Sequence, residues 1–277
     1  MAEDSKPRVL FLAAVPLLVV LALFEVLPVL ALVTSSFSRG GAWSIGNYTE
    51  IIESAYHQRA FVTSLWLSAL TTIIGLGLAL PIARILHGMP EAVRTMVLTY
   101  SNIGANFTGF PLAFSFIIMF GLSGSFTLLL VSTGLVKELN IYSTGGLVLV
   151  YSYFQVCLGI LVIFPSLSAL TTEIEEAARM MGVRTITFWW RIALPILWPS
   201  LVGAAILLFA NAMGTYATAF ALAGGNANVV TIHIGELVAG DVFSEPNLAD
   251  ALSMILVITL LVPIVVEQVF FKRRRHD

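Results

Sequence analysis

Apolar residues in this chain run on far longer than a soluble helix needs to bury one face. A bilayer crossing takes about 20 mainly apolar residues. Six stretches reach that length: Val9–Val33, Phe61–Leu86, Thr95–Phe120, Gly145–Leu170, Leu197–Leu222 and Leu248–Phe271. Hydrocarbon offers no partner to a free backbone N–H or C=O, so each run is predicted to be helical. Val9–Val33 follows Lys6 and Arg8, as a secretory signal would. It is longer than the about 7–15 apolar residues of a signal core and no small-x-small cleavage site follows, so it reads as a retained span.

Composition agrees with that pattern. The chain is 58% hydrophobic and 11% charged, with a mean hydropathy of +0.94, whereas soluble domains carry about 25% charged residues. The fold class is therefore all-α, a polytopic membrane protein of six transmembrane helices. The one cysteine, Cys157, falls in an apolar run and reads as a packing residue. Small residues recur at helical spacing, as Ser64, Ser68 and Thr72, as Gly75, Ala79 and Ala83, and as Ala210, Gly214 and Thr218. Such rows let helices approach closely.

The net charge of −2 says little; where the charges lie says more. With the N-terminus inside, eleven of the 14 Lys and Arg residues fall on the cytoplasmic side: Lys6, Arg8, Arg84, Arg94, Arg179, Arg184, Arg191, Lys272, Arg273, Arg274 and Arg275. Only Arg39, Arg59 and Lys137 fall outside. The positive-inside bias thus predicts both termini in the cytoplasm. The expected organisation is an N-terminal region over 1–60 holding the first span and an outer segment, a core of five further spans over 61–271, and a basic tail over 272–277. Outer segments include Ser35–Ala60, where a short amphipathic helix is expected near Asn47-Tyr48, and the glycine-broken Gly121–Thr144. A third, Ala223–Asn247, carries Glu236, Asp241 and Glu245 without a Lys or Arg.

One stretch breaks the apolar pattern. Thr172–Pro199 holds Glu173, Glu175, Glu176, Arg179, Arg184 and Arg191, and each charge would cost about 2.5–3.5 kcal/mol in mid-bilayer. It must lie in water, yet Met180, Met181, Phe188, Trp189 and Trp190 make it too apolar for a plain linker. A docking surface is expected. The pattern predicts a helix over Glu173–Met181 ended by Gly182, then a second over Arg184–Ala193 ended by Pro195.

Within that loop Glu176-Ala177-Ala178, then Gly182, then Ile192-Ala193-Leu194-Pro195 fit the pattern E-A-A-x3-G-x9-I-x-L-P. This resembles the EAA loop of the membrane subunits of ATP-binding-cassette (ABC) importers, which share the MetI-like fold. The style is nearest to spermidine/putrescine-type permeases, and Asn247–Ser253 also resembles the family. The resemblance implies a binding-protein-dependent permease of the bacterial inner (plasma) membrane. Its partners would be two cytoplasmic ATPase subunits, a second permease chain that is a paralogue, a periplasmic solute-binding protein and membrane lipids. No nucleic acid and no cofactor are implied. Coupling to the ATPases would fall to Glu176, Ala177, Ala178, Arg179, Gly182, Ile192, Leu194 and Pro195, with the two alanines presenting a flat, exposed surface. An acidic outer loop suits a polyamine-type solute.

Catalysis is not expected. Lys6, Lys137 and Lys272 are the only lysines, and none follows a glycine as a Walker A loop requires. Gly121-Leu122-Ser123-Gly124 resembles a rhomboid serine motif, but no histidine lies in mid-span to serve as base, and a glycine turn is the expected reading. Four scattered histidines and one cysteine make no metal cluster. Polar residues within spans are candidates for the solute path: Asn102 and Asn106 on one face of the third, and Asn211, Thr215 and Tyr216 on the fifth. Glu25, near Pro28, reads as snorkelling or locally bonded. The alternative function is an ion-gradient-driven secondary transporter, a class marked by charged or broken midplane helices.

Overall fold

A computed structural model describes residues 15–136, 139–224, 227–240 and 244–274, with side chains as far as 269. Lys6, Arg8, Lys137, Asp241 and the side chains of the Lys272–Arg275 run lie outside the described residues. Among the described residues, six helical stretches are long and apolar enough to cross a membrane. The all-α, six-span expectation holds.

In chain order the helices begin with α1 (Val15–Ser36). A hairpin of β1 (Ser38–Arg39) and β2 (Ala42–Trp43) follows, then α2 (Gly46–Glu53), α3 (Ala55–His87), α4 (Glu91–Asn106), α5 (Phe110–Phe120) and α6 (Ser125–Ser132). Next come α7 (Thr144–Ile163), α8 (Thr172–Met180) and α9 (Thr185–Met213). The last are α10 (Ala217–Ala223), α11 (Val230–Ala239) and α12 (Pro246–Arg274). The chain divides into two compact units.

The first unit takes the described residues of Met1–Gln58 and His233–Thr259. Midway along α1, Ala22–Val26 widens into a π turn, where the Leu27 N–H donates to Ala22 O. Pro28 follows; a proline has no N–H and crowds the carbonyl four residues back, and the wider turn relieves both faults. Glu25 sits in this turn and is exposed. The hairpin turns over Gly40 and Gly41 at φ 60° and 81°, the left-handed conformations that a two-residue hairpin turn uses. Asn47 ties the unit together: its buried Nδ2 donates to Ser36 O and Ser38 O at 3.0 Å and to Asn247 O at 3.4 Å.

The second unit takes the described residues of Arg59–Ile232 and Leu260–Asp277. Here the small-residue rows do the packing expected of them. A Cβ on Gly75 would lie 2.9 Å from Gln155 Cβ on α7, so α3 and α7 meet at backbone distance. Ala79 and Ala83, in the same row, are fully buried. Ser64, Ser68 and Thr72 are buried too, and Ser64 Oγ accepts from the Val230 N–H at 2.9 Å. Cys157 is a packing residue, its Sγ lying where a side chain on Gly104 would stand.

Two predicted spans are not continuous. Thr95–Phe120 is broken between α4 and α5, where Gly109 takes φ +76°; the apolar stretch of spanning length is Phe110–Ser132. Leu197–Leu222 is broken after Met213, with Gly214 as the cap, and α10 begins only at Ala217. Hydropathy is blind to a change of backbone direction that leaves the residues apolar. Likewise Gly121–Thr144, read as an outer segment, contains α6 between Gly124 and Gly134.

Candidate functional site

The Thr172–Pro195 segment folds as a short helix, a tight turn and a second helix that continues into a span. Glu173 and Glu175 lie in the first turn of α8, where carboxylates complement the positive end of the helix dipole. The helix ends in a complete Schellman motif. The Val183 N–H donates to Ala178 O at 3.0 Å and the Gly182 N–H to Arg179 O at 2.9 Å. Gly182 takes φ +70°, the left-handed state that glycine enters without strain. A Cβ there would meet nothing within 4 Å, so the need for glycine is conformational.

The motif's two alanines face opposite ways. Ala177 is exposed, with Glu176 and Arg179. Ala178 is buried, packed in the cluster that holds Leu86, Leu167, Leu170 and Phe188. The expectation of a flat exposed surface from both alanines is therefore corrected: Ala178 seats α8 on its own chain, because residues four apart at Ile174 and Ala178 form the inward stripe. Met180 and Met181, 90% and 72% exposed, occupy the outward face beside the turn.

Pro195 does not end the second helix. α9 runs unbroken from Thr185 to Met213. Just before the proline, Trp189–Ala193 form a π turn in which the Leu194 N–H donates to Trp189 O. The device repeats that at Pro28, and it lets a helix pass a proline that sequence reasoning takes as a stop. Ile192 and Leu194 are half-buried on this stretch and Pro195 is exposed.

Sequence reasoning missed the main polar contact of α8. Arg84, in the last turn of α3, reaches Glu175 with Nη2 lying 2.7 Å from Oε1 and 2.9 Å from Oε2. The side chains are 32% and 20% exposed. The signal was available as two charges at apolar edges, each in want of a partner, but 91 positions of separation hide the pairing.

The path candidates divide. Asn211, Thr215 and Tyr216 come together around a recess of about 350 Å³, joined by Thr108 and Gly109 from the break between α4 and α5. Thr218 Oγ1, just past the fifth-span break, accepts from the Gly109 N–H at 2.9 Å and so pins one break to the other. Tyr151 Oη and Thr231 Oγ1 both donate to Thr215 O, at 3.1 and 3.2 Å, which fixes the broken strand of backbone. Tyr216 stacks on Phe220, which meets Phe110 edge-on. Asn102 and Asn106 do not line this recess; they lie exposed on α4, with Asn106 Nδ2 donating to Asn102 O and Oδ1.

In the first unit, His233 stacks on Tyr56 at 4.0 Å, and His57 approaches His233 edge-on at 5.9 Å. Nδ1 of each histidine is buried without a partner. Burial, and then the neighbouring His57, pushes the His233 imidazole from 6.5 down to about 4. Gly121–Gly124 is a turn closed by the Gly124 N–H on Gly121 O, as the glycine-turn reading of Gly-Leu-Ser-Gly expects. Among the described residues, no three His, Cys, Asp or Glu side chains group as a metal site would.

No family model matches the chain. The molybdenum transport system permease protein ModB of Mycobacterium bovis is 28% identical over 214 residues, 75% of this chain and 77% of the relative. The spermidine/putrescine transport system permease protein PotB of Haemophilus influenzae is 25% identical over 219 residues, 76% of each chain. In fold the chain is similar to a chain of a bacterial ABC transporter involved in the import of the acidic polysaccharide alginate. The TM-score is 0.77 at 15% identity, over 97% of this chain and 96% of that one.

Proposed function

We propose that this chain, a homologue of ABC importer permeases, is the permease subunit of a binding-protein-dependent importer in the bacterial inner membrane. It supplies part of the solute path and takes up the work of separate ATPase subunits through Thr172–Pro195. The observation that carries this reading is the form of the EAA-like residues. Glu176, Ala177, Arg179 and the two methionines stand outward on a helix whose far side is seated by Ala178 and whose exit is fixed by Gly182 at φ +70°. An outward, mixed apolar and charged helix held at both ends suits a groove on a partner.

In this reading two ATPase subunits, a second permease chain and a periplasmic binding protein complete the importer. The termini and α8 share the ATPase side, residues 61–271 form the permease core, and no chemistry is done on this chain. The recess at Asn211, Thr215 and Tyr216 lies on the solute path. Polyamine-type solutes are supported by the acidic residues Glu236 and Glu245 of the outer segment, while the solutes named for the relatives differ from one another.

The test is co-purification and uptake with the ATPase subunits and binding protein. Glu176→Lys reverses a charge on the outward face, and a like-charge contact across an interface costs several kcal/mol. Gly182→Val forces a β-branched residue into a left-handed conformation, at about 1–3 kcal/mol. Both should insert normally and lose binding-protein-stimulated hydrolysis and uptake. Full activity in both would defeat the reading. The ion-driven alternative draws on the two helix breaks; uptake that follows an ion gradient and ignores ATP would put it first.

A further inference from the structure

We infer that Arg84 and Glu175 form the joint through which movement of α8 reaches the second membrane span, a role that rests on the coupling reading above. Both are positioning residues. Arg84 lies in the last turn of α3 and Glu175 in the first turn of α8. A cation at the C-terminal end of one helix and a carboxylate at the N-terminal end of another each complement the dipole of their own helix. The pair therefore joins two helix ends already polarised to receive it. Arg84 Nη2 touches both carboxylate oxygens, and the partial burial of both side chains limits screening by solvent.

The two attachments of α8 differ in what they transmit. Ile174, Ala178 and Val183 rest on apolar neighbours, and apolar contact is non-directional, so it resists separation more than sliding. A charge-assisted hydrogen bond with fixed geometry resists displacement in direction as well. The receiving helix is packed on both sides of Pro81, with Ala79 and Ala83 fully buried. Five residues before Arg84, Ala79 stands against Gly159 at backbone distance, and Gly75 against Gln155. A pull on Arg84 thus moves α3 together with α7 instead of bending a loose end.

The experiment uses the complete importer, with its ATPase subunits and binding protein, in proteoliposomes. The readouts are ATPase retention, hydrolysis and solute moved per ATP. Arg84→Gln and Glu175→Gln should each keep the ATPase subunits and hydrolysis, while solute per ATP falls by about five- to tenfold, the low end of coupling between sites. The double exchange Arg84→Glu with Glu175→Arg restores the pair but opposes both helix dipoles, so it should recover a ratio well above either single change without reaching the original. Ratios unchanged in the single variants, or no recovery in the exchange, would overturn the joint. Release of the ATPase subunits by the single variants would also overturn it, and would assign the pair to docking. An unaltered chain that never binds the ATPase subunits would instead bring down the coupling reading beneath it.

Discussion

A Cβ placed on Gly159 would stand 2.8 Å from the Cβ of Ala79. The fourth predicted span and the second are thus packed as closely as two backbones allow. Gly159→Leu should overpack this contact and destabilise the chain by about 1–3 kcal/mol, read as a lower melting temperature in detergent. Gly77→Ala, on Ala79's helix with nothing within 4 Å of the added carbon, should hold or slightly raise the melting temperature, because alanine is the better helix former.

Acid should loosen the first unit. The unfolded His233 imidazole binds its proton near 6.5 and the folded one near about 4. Between those values the unfolded chain holds more protons, so stability is fully present above 6.5, declines as pH falls through the window and then levels off. Tyr56 and His57 face the ring, and Glu50 and Glu245 act on His57. His233→Phe keeps an aromatic ring against Tyr56 and removes the titration. A melting curve of that variant across pH 6.5 to 4 should be flatter than that of the unaltered chain; an equal slope would place the acid response elsewhere.

The recess supplies a second functional test. Asn211→Leu and Tyr216→Ala alter residues that line it, and each should slow uptake while the importer still assembles. Asn102→Ala removes an exposed residue outside the recess and should have the smaller effect on rate. Uptake kinetics in proteoliposomes decide between them. Unchanged kinetics in both recess variants would remove these residues from the path.

Sidedness can be measured directly. In a chain whose single cysteine is replaced, Cys157→Ser, a cysteine at Leu122 should react with an impermeant reagent on intact cells, and one at Met181 only after permeabilisation. Both positions are 72% exposed, so access and not burial sets the outcome. Reaction at Met181 in intact cells would invert the topology.

The spans were legible because length and apolarity alone satisfy the bilayer, and the sequence carries both without reference to packing. Gly182 was legible too, since a helix end that needs a left-handed residue leaves a glycine behind. The breaks at Gly109 and Gly214 were not, although Gly109 followed two residues later by Pro111 is a turn-and-helix-start signal that the surrounding apolar residues masked. Ala177 and Ala178 look alike in the motif, and only the path of α8 over Leu167 and Phe188 decides which of them is buried. Arg84 and Glu175 could not be matched, because charge pairing between distant positions depends on the fold that brings them together.

The π turn at Trp189–Ala193 has a bearing on length that no substitution reveals. Each α-helical residue advances the chain by about 100° around the axis, and a π turn takes one residue more than an α turn. The turn therefore takes up one extra residue without rotating Thr185–Phe188 against the span that follows. Removing a single residue there would close it to an α turn and leave Phe188, now 7% exposed, in its pocket, whereas removing one from the regular helix that follows would rotate Phe188 by about 100° out of it. At this point in the chain a one-residue deletion is absorbed, while a few residues further on the same deletion is a rotation, so the orientation of everything before it is written in the count of residues as much as in their kind.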